Sequence, residues 1–432
     1  MIQQIIFFLA LCTAAFFFVR SVRRIWATIK IGKPTGRLDN KTERWKQVVL
    51  IALGQKKMFK RPIPAVLHLM VYISFLIVNI ELLEILIDGL FGTHHVFQTV
   101  LGDFYSPLIT FFEFFAVLVI ISCAIFLVRR NILKIGRFHK PEMKGWAKLD
   151  GNLILIFEIV LMLFLLNMNA TDTVLQLKSG ISQSFFFSNW FVPLYKNVSI
   201  GGLHIANTFY WWVHIIGIFV FANYVPYSKH LHIFLAFPNT YFSNLETKGK
   251  MENMPIVTNE VKIMMGMAQP DANPPAMSRF GAKDVTDLNE INILNALTCT
   301  ECGRCTSNCP ANLTGKKLSP RKIMMDVRDR AEEVLQNKKK KGEDYDDGKS
   351  LLYDFISEEE IYACTSCNAC TEACPINIDP LSIILELRRY TVMEESKGPA
   401  EWTGMYSSLE TTFNPWKFPS TDRDKWVNDV KS

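Results

Sequence analysis

The chain has 432 residues, 49% of them hydrophobic, with a formal charge of +6. So small a charge, carried mainly in particular loops, excludes a nucleic-acid-binding surface. Ten cysteines in a chain this long exclude a small secreted disulfide scaffold and suit metal ligation in a reducing compartment.

The average hydrophobicity joins two unlike halves. Residues 1–240 carry long runs of Phe, Leu and Ile, whereas residues 241–432 are charged and mixed. Five apolar stretches, roughly 3–19, 63–87, 105–128, 152–169 and 206–227, predict helices crossing a hydrocarbon core of about 30 Å. The first, "MIQQIIFFLALCTAAFFFVR", has no basic residue ahead of it and "RSVRR" follows. It reads as a retained helix with its N-terminus outside, in preference to a cleaved signal. Thirteen Lys and Arg lie in residues 20–62 and seven in 129–148, against none in 88–104 and two in 170–205. The asymmetry predicts that the basic loops, and all that follows the fifth helix, face the cytoplasm of a bacterial-type inner membrane. Cys12 and Cys123 sit in apolar runs and are expected to be packing residues.

His68 opens the second helix in "IPAVLHLMVYISFLI". His214 and His232 fall in "YWWVHIIGIFVFANYVPYSKHLHIF", eighteen residues apart, on one face if the helix stays regular past Pro226. Their separation of about 27 Å along such a helix puts them at opposite depths. His68 and His232 share the cytoplasmic edge, so a b-type haem between them is the economical reading. His214 is a candidate for a second haem, for which His94, His95 or His204 would have to fold inward. His139 and His230 are expected at the cytoplasmic surface. Glu113 and Glu158 are costly intramembrane groups. They are candidates for a quinone-linked proton relay, with a structural hydrogen bond as the plainer role for each.

Two near-copies follow. "CTECGRCTSNCP" carries Cys299, Cys302, Cys305 and Cys309; "CTSCNACTEACP" carries Cys364, Cys367, Cys370 and Cys374. Both read C-x2-C-x2-C-x3-C-P, the spacing of two-cluster ferredoxins in which the fourth cysteine serves the other cluster. The expected [4Fe–4S] ligand sets are Cys299, Cys302, Cys305 with Cys374, and Cys364, Cys367, Cys370 with Cys309. Structural zinc prefers well-separated half-sites and is disfavoured. Ser319–Pro320, a capping box at Ser357 and Glu360, and Asp379–Pro380 mark helix starts around the cassettes. "NKKKKGEDYDDGKS" reads as a charged surface loop.

The predicted fold is mainly α. A five-helix transmembrane haem b bundle (1–240) and a linker (241–290, mostly irregular) precede a two-cluster α-helical ferredoxin domain (291–395) and a tail for partner docking (396–432).

"YWWVH", "VPYSKHLHIF" and "TCTECGRCTSNCPANLTGKKLSP" together resemble a fusion of two parts. One is the haem b membrane subunit of the respiratory nitrate reductase and heterodisulfide reductase type; the other is the two-cluster subunit of heterodisulfide reductases. The resemblance covers most of residues 50–420. It implies haem-ligand positions at His68, His214 and His232, whereas a further ligand implied ten residues after His68 is Val78 here. It also implies menaquinone as substrate and a partner subunit bearing Cys-Cys-Gly motifs, or a flavoprotein, at the soluble end. The expected function is electron transfer between that partner and the quinone pool. The alternative is a membrane-anchored redox sensor or assembly anchor without quinone turnover. A membrane subunit serving a molybdenum enzyme is a third reading, and the fused cluster domain argues against it.

Overall fold

The structure, a computed structural model, describes residues 1–180, 185–269 and 279–431. Five helices are long and apolar enough to cross a membrane among these residues. They are α1 (Ile2–Ile29), α2 (Pro62–Phe91), α3 (Tyr105–Asn131), α4 (Trp146–Lys178) and α5 (Ile200–Tyr224). Pro62 starts α2 where a missing N–H costs nothing, and Gly92 ends it in a left-handed conformation at φ +69°. Ser199 caps α5 by accepting from the Gly202 N–H. α4 packs along α5, α2 along α3 and α3 along α4, while α1 lies across α2 and α5. Gly89 makes the α1–α2 contact feasible, because a Cβ there would stand 2.7 Å from the Phe7 ring. Outward faces stay apolar, with Phe16, Phe75, Phe111 and Phe209 exposed, as helices surrounded by lipid require. Cys123 is buried as expected, but Cys12 is exposed on the outer side of α1.

The fifth helix does not run through to His232. It stops at Tyr224, and two short 3-10 turns, Val225–Tyr227 and Lys229–Leu231, lead into a new helix, α6 (His232–Tyr241). Pro226 has no N–H to continue the ladder. The Asp150 carboxylate of α4 accepts the freed Lys229 N–H at 3.0 Å, which stabilises the break. The expected same-face relation of His214 and His232 is therefore lost.

Among the described residues the second half is also helical. It comprises α7 (Glu290–Thr298), α8 (Pro320–Lys341), α9 (Pro380–Met393) and α10 (Ala400–Thr412), with short turns between. Ser319 caps α8, Ser357 and Glu360 form a reciprocal capping box, and Asp379 caps α9. The lysine run belongs to the last turn of α8 and not to a loop; four positive charges there complement the helix dipole. Among its described residues the linker contains one helix, Pro255–Met264; its part at 270–278 lies outside them.

Leu288, Ile293, Ile323, Val327, Ile383 and Leu387 form the core of this half, and Ile25 of α1 and Leu231 join the same cluster. The cysteine-bearing half is thus packed onto the end of the bundle that carries the basic loops. Arg321, fully buried, donates to the Arg137 carbonyl at 2.6 Å and to the Glu142 carboxylate at 2.7 Å. Arg61 donates to Ser307 Oγ at 2.7 Å, and Asn239 to the Ile376 carbonyl at 2.7 Å.

Within the domain, Arg330 holds Asp284, Asp347 and the Lys349 carbonyl at 2.6–3.2 Å. Arg330→Met would leave two half-buried carboxylates without their cation, which costs about 3–5 kcal/mol. The expected result is a lower midpoint for thermal loss of the visible cluster absorbance, with the α1–α5 helical content intact.

Candidate functional site

Each cassette threads through two left-handed residues at equivalent places. These are Glu301 (φ +54°) and Gly303 (φ +69°) in the first, Ser366 (φ +55°) and Asn368 (φ +58°) in the second. The paired reversals fold seven residues into a loop whose three leading thiols turn to one side. Glycine and asparagine are suited to such φ values. At Gly303 a Cβ would stand 2.5 Å from the Arg321 guanidinium, so the first loop also needs its missing side chain.

Tertiary packing then crosses the cassettes. Cys299, Cys302 and Cys305 surround one cavity together with Cys374, from the far end of the other cassette. Burial pushes the Cys364 thiol up, and Cys309 stands close enough to raise it further. Backbone N–H groups of Ser366 and Ile378 point at the Cys364 and Cys374 sulfurs, at 3.4 and 3.3 Å. Burial pushes the Cys299 thiol up to about 12 and the Cys374 thiol to about 11. Such thiols stay protonated until a cation displaces the proton, as iron does on binding. Of the eight, Cys367 is exposed, so one side of the second cassette faces solvent; its Thr371 carbonyl accepts from Lys57 at 3.3 Å, so both cassettes touch the loop before α2.

Arg304 lines the first cavity and donates to the Lys57 and Met58 carbonyls, both at 3.3 Å. Two residues earlier in that loop, Gln55 is buried, sits at φ +50° and follows a π-helical turn, Val48–Leu53. A non-glycine residue held left-handed is uncommon and marks a place where the surroundings dictate the backbone. Its side-chain oxygen lies 3.1 Å from His68 Nδ1. His232 Nδ1 lies 2.9 Å from the Lys229 carbonyl. Both rings therefore carry their proton on Nδ1 and keep Nε2 for another partner.

The His68 and His232 ring centres are 6.2 Å apart. Two metal–nitrogen bonds of about 2 Å, plus the two ring radii, span roughly that distance. The donor set thus fits a bis-imidazole group. Burial lowers the pKa of His232, which keeps it in the neutral, ligating form.

Other expectations fare differently. His139 is exposed, but His230 is not a surface residue. It packs 5.5 Å from Phe221 and 5.6 Å from His232, with Glu158 at 3.9 Å, and burial pushes its imidazole down to about 3. His214, buried, turns Nδ1 to the Leu161 carbonyl at 3.0 Å. It lines an apolar cavity with Ser74, Val78 and Glu158, and no second histidine lines that cavity. His204 is exposed, and His94 and His95 pair with Asp172 instead, so none folds inward to His214. Glu113 accepts from the Phe187 and Ser188 N–H groups at 3.0 and 3.1 Å and from Asn169 at 3.2 Å; it fastens the 187–188 backbone to α3. Gln55 carries no motif, and Arg304 occupies one of the x positions inside the first cassette. Only their contacts reveal them.

Residues 295–378, spanning both cassettes, match the family described as 4Fe-4S dicluster domain. The chain is 28% identical, over 99% of its length, to the "Probable iron-sulfur-binding oxidoreductase FadF" of Bacillus subtilis. It is 24% identical over 91% of its length to the "EtfAB:quinone oxidoreductase" of Syntrophomonas wolfei. It covers 61% and 55% of these two relatives, so it spans a little over half the length of each. A "Probable membrane-anchored ferredoxin" of Chromohalobacter salexigens matches over 30% of the chain at 28% identity. No solved structure matches. The chain thus has a region matching a 4Fe-4S dicluster domain, seated on a bundle of candidate membrane helices, and is similar to proteins named as iron–sulfur oxidoreductases.

Proposed function

We propose that the chain is the membrane electron-transfer subunit of a heterodisulfide-reductase-like, quinone-linked oxidoreductase. The observation that carries this reading is the direct bridge from cysteine cavity to histidine pair. Arg304 at the cavity holds the Lys57–Met58 backbone, and Gln55 on the same loop orients His68, which faces His232 at 6.2 Å. Cys299, Cys302, Cys305 and Cys374 would hold one [4Fe–4S] cluster, Cys364, Cys367, Cys370 and Cys309 the other, and His68 with His232 one haem b. When bound, these groups supply one-electron carriers between a soluble partner and quinone.

The chain's own residues set the order. Exposed Cys367 supports the second cassette as the side that meets a soluble partner, a Cys-Cys-Gly-type subunit or a flavoprotein, with the tail from residue 396 as its docking segment. The first cassette, against the bundle, is next in line, and the histidine pair lies inside it. Basic loops on this end support a cytoplasmic location for the domain. The EtfAB:quinone oxidoreductase relative supports quinone as the membrane-side substrate, with menaquinone the specific assignment.

The test is haem b per polypeptide by pyridine haemochrome on the purified chain, together with reduction of a naphthoquinone by titanium(III) citrate. One haem and quinone turnover are expected. Fully loaded clusters with neither haem nor turnover would replace this reading with the redox sensor or anchor.

A further inference from the structure

Two cavities in the bundle meet at a single carboxylate. The first, about 100 Å³, lies beside His214 and includes Ser74, Glu158 and Glu81. The second, about 250 Å³, includes Glu81, Glu84, His95, Tyr105 and Asp172 and opens toward the end of the bundle opposite the cysteine domain. Glu81 is buried, and its Oε1 accepts from Asn169 at 3.4 Å. Among the described residues its Oε2 has no hydrogen-bond partner, and neither does Ser74 Oγ. Unpartnered polar atoms of this kind, deep in an apolar bundle, call for an explanation.

From Glu81 outward the second cavity contains a chain of exchangeable protons. Glu84 follows Glu81 by one helical turn, and both line the same space. At about 30 Å³ per water, several waters fit between them. Tyr105 OH lies 2.9 Å from Glu84 Oε2 and 2.5 Å from His95 Nδ1. His95 Nε2 lies 2.9 Å from one Asp172 oxygen, and His94 Nε2 lies 3.2 Å from the other. The His94 side chain is 66% exposed, so the chain ends in solvent.

Two proton arrangements satisfy these contacts. In one, a protonated Glu84 donates to Tyr105, which donates to His95 Nδ1. In the other, Tyr105 donates to ionised Glu84, and an imidazolium at His95 donates to Tyr105 and to Asp172. They differ by one proton moved between Glu84 and His95 through the tyrosine hydroxyl. A competing exit exists. Glu158 lines the first cavity, and its carboxylate lies 3.9 Å from His230 on the cysteine-domain side. That distance exceeds a hydrogen bond.

We infer that Glu81 relays protons between a quinone head group in the His214 cavity and the membrane face opposite the cysteine domain, through Glu84, Tyr105, His95 and Asp172. The inference rests on the quinone-linked reading above. Quinone reduction takes two electrons, arriving from the cysteine-domain side, and two protons, drawn from the opposite face; quinol oxidation returns both by the same route.

The experiment uses the full chain in sealed potassium-loaded liposomes containing a naphthoquinone, with valinomycin and a trapped pH dye. Titanium(III) citrate, which does not cross the bilayer, addresses only chains whose cysteine domain faces outward. Wild type should alkalinise the lumen by about two protons per quinone reduced. Glu81→Gln and Tyr105→Phe should slow quinone reduction by about a hundredfold, in the range of lost proton-transfer groups, with cluster and haem content unchanged. Glu81→Asp should restore part of the rate and keep the protons lumenal, which a merely structural role for Glu81 would not reproduce. Quinone reduction without lumenal alkalinisation, or a loss confined to Glu158→Gln, would overturn the relay and leave the quinone reading standing. No quinone reduction by wild type would overturn both.

Discussion

Replacing Cys374 by Ala should remove the iron–sulfur cluster of the first cassette and spare that of the second. The cavity at Cys299, Cys302 and Cys305 is closed by Cys374 and not by Cys309 of their own cassette, whereas Cys309 stands beside Cys364. A cubane that loses one of four thiolates in a buried pocket has no replacement donor at hand. Iron should fall from about eight to about four per chain. Combining substitutions settles the pairing, because changes acting on one cluster do not add. Cys299→Ala with Cys374→Ala should lose no more iron than either alone, while Cys299→Ala with Cys309→Ala should lose nearly all. The opposite pattern would mean that each cassette keeps its own fourth cysteine. Electron transfer should suffer most in Cys374→Ala, because the cavity that Cys374 closes is the one lined by Arg304, which holds the backbone of the histidine loop.

Replacing either His68 or His232 by Ala should abolish haem binding, while both clusters and the helical content survive. Each ring is held by an acceptor on Nδ1 and faces the other at 6.2 Å, so each would contribute one of two axial bonds. His214→Ala should leave the haem count unchanged, since no second histidine shares its cavity. Gln55→Leu should weaken haem affinity by about 10–100-fold, the usual cost of removing the partner that orients a ligating histidine. Haem per polypeptide and the low-spin spectrum read all four variants. Unchanged haem in the His232 variant would move the ligand role to His230, its neighbour at 5.6 Å.

Much of this protein is written locally. The five apolar helices lie where the runs of Phe, Leu and Ile lie, because a lipid-facing helix needs only a long apolar segment with its hydrogen bonds closed internally. The cassettes are legible because two-residue spacing on a tight loop is a property of consecutive residues, and so are the caps at Ser319, Ser357 and Asp379. The apparent continuity of the fifth helix failed because regular counting extended through Pro226, where the missing N–H and the distant Asp150 carboxylate favour a break.

The sequence by itself therefore determined the helices, the cassettes and the end of the bundle on which the charges gather, all of which follow from neighbours along the chain. Only the tertiary structure decided three other things: that Gln55 steadies His68, that His230 turns inward, and that Glu81 joins two cavities; the partnership of Cys374 with the first cassette was already implied by the spacing. Each of the three brings together residues of separate elements, from 13 positions apart for Gln55 and His68 to 133 for Glu81 and His214. Such contacts are selected by side-chain packing between separate elements, and no periodicity or spacing in the chain encodes that packing.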